Sequence, residues 1–139
     1  MTPCFAIDDI VTPKKFVLRG LWFGPPKPER VVVWVHGLGG SAFSMNHIVR
    51  LVADKRTAVL TFNSRGFETI TTLRNISERK SRRFGGGAAR EIFTECVDDI
   101  QGVVKYAKRA GAKDIFLAGH STGCQKSIFW ASKKKSRDI

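Results

Sequence analysis

Ile115-Phe116-Leu117-Ala118-Gly119-His120-Ser121-Thr122-Gly123 is the stretch on which the reading of this chain turns. A short apolar run, suited to a buried strand, leads directly into Gly-x-Ser-x-Gly, and the residues from Cys124 to Ser132 continue in a helical pattern. Strand, tight turn and helix in that order put a serine at the tip of a strained turn with its hydroxyl exposed, the arrangement known as a nucleophile elbow. Gly119 and Gly123 suit it because a side chain at either position would collide with the neighbouring strand or helix. Ser121 is the candidate nucleophile.

Working outward, residues 88–110 predict a helix with Ile92, Cys96, Ile100, Val103 and Ala107 as its apolar stripe and Gly111 as its stop. Residues 63–88 are polar, basic and glycine-rich and are expected to form a long loop. Thr57 to Phe62 and Arg30 to Val35 read as strands buried on both faces, with a helix from Ser44 to Ala53 after the glycine-rich turn that starts at His36. The alternating segment 15–23 predicts a further strand, paired in a hairpin with Phe5 to Val11. Strands that alternate with helices imply an α/β fold with a mostly parallel sheet, right-handed crossovers and flanking helices.

Composition narrows the class. A chain of 139 residues with 42% hydrophobic residues can bury a core as one domain. Three cysteines, Cys4, Cys96 and Cys124, are too few for a disulfide framework and point to a reducing, cytoplasmic setting. Cys96 falls on an apolar stripe, and Cys124 reads as a small packing residue. No segment has the length and apolarity of a membrane span, and no metal or cofactor motif is present. The net charge of +12 concentrates in Arg74 to Arg83 and in Lys133 to Arg137. Without nucleic-acid motifs or interleaved aromatics these runs read as solvated surface, a nucleic-acid-binding module being the alternative. Asp98 and Asp99, adjacent on a helix, read as part of a solvated face.

A serine that transfers acyl groups needs a base, an acid to orient that base, and donors for the oxyanion. The backbone N–H of Thr122, directly after the serine, is one candidate donor. The second is expected from the turn after Val35, at Leu38 or Gly39, where small neighbours let the backbone approach the developing charge. Taken together, His36-Gly37-Leu38-Gly39-Gly40, Asn63-Ser64-Arg65-Gly66 and Gly119-His120-Ser121-Thr122-Gly123 resemble the α/β-hydrolase superfamily in order and spacing. The likeness covers nearly all of the chain from residue 15 onward. The longer run Gly-His-Ser-Thr-Gly-Cys-Gln resembles an esterase-like branch that includes siderophore-ester hydrolases.

That resemblance implies a serine hydrolase acting on a small ester or acyl substrate, with His36 as a scaffold residue opening the oxyanion turn. It also implies an acid and then a histidine after the serine. Here the sequence departs from the pattern: after Ser121 there is one acid, Asp138, and no histidine. His36, His47 and His120 all read as structural or surface residues. The expectation is therefore the N-terminal half of one hydrolase domain, spanning residues 1–139, incomplete on its C-terminal side and with the elbow strand left as an exposed apolar edge. The alternatives are a non-catalytic remnant and a chain completed by a second polypeptide.

Overall fold

A computed structural model describes residues 2–78 and 81–134. The basic residues at 79–80 and 135–137, together with Asp138, lie outside the described residues. The chain opens with β1 (Cys4–Val11) and β2 (Phe16–Phe23), an antiparallel hairpin with a register shift between Ile7 and Ile10. Then come β3 (Arg30–Val35), α1 (Asn46–Val52) and β4 (Thr57–Phe62). The chain continues through β5 (Thr71–Asn75), β6 (Arg82–Gly86), α2 (Cys96–Arg109), β7 (Asp114–Gly119) and α3 (Thr122–Lys133).

All seven strands form one sheet in the order β6-β5-β2-β4-β3-β7, with β1 on the remaining edge of β2. β2 is the branch point. One edge pairs with β1, while the other is shared by β4, at Gly20–Phe23, and β5, at Phe16 and Val17. The expected parallel arrangement occupies the β4-β3-β7 side, where β3 is parallel to both neighbours. The N-terminal strands and the β5–β6 hairpin are antiparallel.

The main core lies between the sheet and the helices α2 and α3. It contains Ile10, Leu18, Trp22, Val31, Val33, Val35, Leu60, Phe62, Ile100, Val103, Val104 and Trp130. A smaller cluster under α1 holds Phe23, Val49 and Val59. Burying each such side chain contributes about 1.5–3 kcal/mol before chain entropy is set against it. β4 is buried along its whole length, as expected, but β3 is not: Val31, Val33 and Val35 are buried while Val32 and Trp34 are half-buried. The reason is that α1 is short and covers little of that face. Of the apolar residues on α1 only Val49 is buried, and Ile48, Leu51 and Val52 face solvent.

Two expectations are corrected. Residues 63–88 are not a plain loop, because Thr71–Asn75 and Arg82–Gly86 form a hairpin that extends the sheet. Its local pattern is too polar and glycine-rich to announce strands; β2 imposes them, with Val17 opposite Arg74. The helix expected from Ala88 begins only at Cys96. Ala88–Arg90 and Phe93–Glu95 are single tight 3₁₀ turns, and Ile92 is exposed. α2 ends as expected, before Gly111 at a φ of 99°.

β7 pairs with β3 on one edge and with no other described strand. It exposes Phe116, and on the following helix Ile128 is also exposed, so the expected apolar edge is present among the described residues.

Candidate active site

The end of β7 passes into α3 through one residue with an unusual backbone. Ser121 has φ 54° and ψ −128°, a positive φ that L-residues with side chains rarely adopt and that costs about 1–3 kcal/mol. The surrounding glycines make this turn possible. A Cβ on Gly119 would lie 2.6 Å from the carbonyl carbon of Gly123, and one on Gly123 would lie 2.1 Å from the Val35 oxygen. Only hydrogen atoms fit there, so the helix start packs directly on the ends of β7 and β3. The His120 N–H donates to the Val35 oxygen at 3.2 Å, and the Gly123 N–H donates to the His120 oxygen at 2.9 Å. Ser121 itself is exposed.

The turn after β3 sits against this elbow. A Cβ on Gly37 would come within 3.1 Å of the Ser121 Cβ. The Gly40 N–H closes the turn onto the Gly37 oxygen at 3.0 Å, with Gly39 at a φ of 66°. Leu38 and Gly39 therefore form the exposed tip of a turn packed beside the serine. Thr122 is the first residue of α3, where backbone N–H groups lack helical partners. The structure thus brings Ser121, the 37–40 turn and the α3 N-terminus together.

His36 is buried, with both ring nitrogens engaged. Its Nε2 accepts the Ser64 N–H at 3.1 Å, so the ring proton resides on Nδ1 and is donated to the Gly37 oxygen at 2.8 Å. The Ser64 hydroxyl lies a further 3.1 Å from Nε2. Burial is the main cause that holds this imidazole below its usual range, and it stays neutral. His36 braces the turn, in keeping with a scaffold role, and has no nitrogen free to take a proton from a serine. His47 and His120 are exposed on α1 and at the elbow.

Behind the elbow lies a buried polar network that sequence reading missed. Asp98 and Asp99 are not a solvated face: both are buried and both bind Arg65, itself only 4% exposed. Arg65 Nε donates to Asp99 at 2.7 Å, its backbone N–H donates to the same carboxylate at 2.9 Å, and Nη2 donates to Asp98 at 3.1 Å. The guanidinium also lies 4.4 Å from the Phe16 ring centroid. Burial pushes the Asp99 carboxyl up to about 6, against the pull of Arg65. In addition, Lys126 of α3 is buried and pairs with Glu91 from the irregular segment before α2. Lys126 had a legible signal: with Gly123 and Trp130 it falls on the one buried stripe of α3. Arg65 stands in the Asn63–Gly66 motif, but nothing local marks it as buried or as the partner of the aspartates.

The cysteines divide. Cys96 is buried, as expected, and burial raises its thiol to about 11. Cys124 is exposed and not a packing residue; its Sγ donates to the Gly119 oxygen at 3.0 Å. Among the described residues no cluster of His, Cys, Asp or Glu could hold a metal ion, and no helix is long and apolar enough to cross a membrane.

Comparison with known proteins bears on the fold and the family. No curated protein matches the chain. Among solved structures, an esterase from Pyrococcus furiosus superposes with a TM-score of 0.70 at 20% identity, over 96% of this chain and 49% of its own. A cold-adapted esterase from an Arctic intertidal metagenomic library gives 0.61 at 11% identity, over 96% of this chain and 56% of its own. An epoxide hydrolase from Vigna radiata gives 0.62 at 13% identity, over 96% and 35%. The chain thus spans about half the length of the first solved structures it matches, and what they share with it is the α/β-hydrolase fold. The family model for serine aminopeptidase, S33, matches residues 26–139, from just before β3 through the elbow. The chain belongs to that family of α/β hydrolases.

Proposed function

We propose that this chain carries the nucleophile and oxyanion half of a serine acyl hydrolase that acts on a small ester, thioester or amide. Ser121 attacks the carbonyl carbon. The N–H groups of Thr122 and of Leu38, or Gly39 beside it, hold the oxyanion, and an acyl-enzyme forms at the serine oxygen. The observation that carries this reading is the backbone of Ser121. A strained φ of 54° at an exposed serine, with the Gly37 turn in contact with it, is what presenting a hydroxyl to a carbonyl requires and what packing alone has no use for.

The proton acceptor and its acid partner are supplied from outside residues 1–139. His36 is fully engaged, and no histidine follows Ser121 in the sequence. A second reading rests on the same observation: the 139 residues keep the fold without the chemistry, or gain it only when a second polypeptide completes the site.

Labelling with a fluorophosphonate probe in cell extract, where any residues outside 1–139 are present, tests the proposal, with Ser121→Ala as the control. Labelling that needs Ser121 supports an activated nucleophile. A folded protein that stays unlabelled under those conditions favours the second reading, and labelling that persists in Ser121→Ala removes Ser121 as the nucleophile.

A further inference from the structure

We propose that the β5–β6 hairpin, on the face it shares with Arg19 of β2, binds a small amphipathic anion: a phosphate or carboxylate head group on an apolar body. Arg74 and Arg83 are direct cross-strand partners, so both side chains stand on one face of the hairpin. Like charges directly opposite each other destabilise a strand pair unless a counter-charge is supplied. The neighbouring arginine has such a partner within the chain. Arg82, on the opposite face by strand alternation, is held by Glu78 at 2.8 Å. Among the described residues Arg74 has one side-chain hydrogen bond, to the Ser81 hydroxyl at 3.3 Å, and neither Arg74 nor Arg83 has an acidic partner.

The charged face extends into β2. Val17 is the cross-strand partner of Arg74, and Arg19 stands two residues further along the same face. Together these residues line a groove of about 350 Å³, within the size range of small-molecule sites. Asp8 also lines it and lies 3.4 Å from Arg19, so among the described residues Arg74 and Arg83 stay uncompensated. Val17 and Phe67 supply apolar wall beside the guanidinium groups. Two adjacent guanidinium forks bind an oxyanion with directed hydrogen bonds, and the apolar wall accepts the body that carries it.

Calorimetric titration of the 139-residue chain with octyl phosphate, octanoate and inorganic phosphate tests the site. The expected result is saturable binding of octyl phosphate or octanoate that is tighter than that of inorganic phosphate; whichever of the two binds tighter names the head group. Arg74→Gln and Arg83→Gln each weaken that binding by about tenfold or more, as loss of a charge-assisted contact does. Arg82→Gln, on the other face, leaves it within about twofold. These side chains are exposed, so the variants are expected to fold; far-UV circular dichroism checks this. Absence of binding to the unaltered chain overturns the proposal, as do equal losses in all three variants or equal affinity for inorganic phosphate. Displacement of octyl phosphate by a short single-stranded DNA, with steep salt dependence, also overturns it and assigns the face to a polyanion. Binding that survives Ser121→Ala separates this site from the chemistry proposed at the elbow.

Discussion

The parallel side of the sheet and the segment from Ser64 to Asp99 are held by different means, although they meet at the elbow. Around β3, β7 and the start of α3, backbone packs so closely on backbone that a Cβ on Gly119 or Gly123 would lie within 3 Å of it. From Arg65 to Asp99, position is set by charge: one arginine on the buried Asp98 and Asp99 and on the part-exposed Glu95, and one lysine on Glu91. The first kind of anchoring is written in local sequence, because a glycine before and after a serine has a meaning that a short window can read. The second kind depends on partners more than thirty residues apart, such as Arg65 and Asp99. Its energy is also conditional, since a buried ion pair contributes little net stability but costs a great deal when halved.

The largest expected effect lies in the charged region. Arg65→Met leaves Asp98 and Asp99 buried without a cation and is expected to lower stability by about 3–5 kcal/mol, read from urea unfolding. Restoration of that stability on adding Asp98→Asn and Asp99→Asn would mean that the lost term is charge. No restoration would move the weight to packing against Phe16 and weaken the contrast drawn here.

At the elbow the expected sign is reversed. Ser121→Gly relieves a positive φ and is expected to stabilise the fold by about 1 kcal/mol while ending any covalent labelling. A destabilisation instead would mean that the serine side chain contributes packing and that the backbone carries no stored strain.

A smaller effect concerns pH. Burial lowers the His36 pKa, so the unfolded chain takes up a proton near pH 6.5 that the folded ring refuses. The stability contributed by the neutral ring is present above about pH 6.5 and lost as pH falls, by at most about 1.4 kcal/mol per pH unit. Asp99, raised to about 6, acts in the opposite sense, because its protonation on acidification relieves the cost of burying a carboxylate. The clean readout is therefore the ring itself. Its NMR signals are expected to titrate below pH 6.5, and a midpoint at or above that pH would mean that the Ser64–His36–Gly37 chain of hydrogen bonds is open.

Legibility from sequence follows the same division. The elbow, the strands at 30–35 and 57–62, the β1–β2 hairpin and the stop at Gly111 are local patterns, and each lies where its residues suggest. β5 and β6 were not readable because Leu73 and Phe84 are almost the only apolar residues in them, and β2 supplies their order from a distance. The start of α2 was misread for a related reason. Ala88 to Glu95 has good helix formers, but Glu91 is drawn to Lys126 and the chain bends through two tight turns to let it reach. At the candidate site, Ser121, His36, Leu38, Gly39 and Thr122 stand in local motifs, whereas the pairing of Arg65 with the aspartates and of Lys126 with Glu91 is not a local pattern. Like the adjacent aspartates, such residues take their meaning from a partner in another element.

The branch at β2 also bears on the order in which the chain can fold. Pairing with β1 closes a short loop, whereas joining residue 20 to residue 62 and residue 17 to residue 74 closes long ones. Closure entropy grows only with the logarithm of loop length, about 0.6 kcal/mol for each doubling, so the two distant partners cost nearly the same. With β1 already in place, β2 presents one continuous free edge along which β4 and β5 dock end to end, neither obliged to wait for the other. The hairpin formed first is thus a template for two halves of a sheet, and the search for long-range contacts starts from a surface instead of a coil.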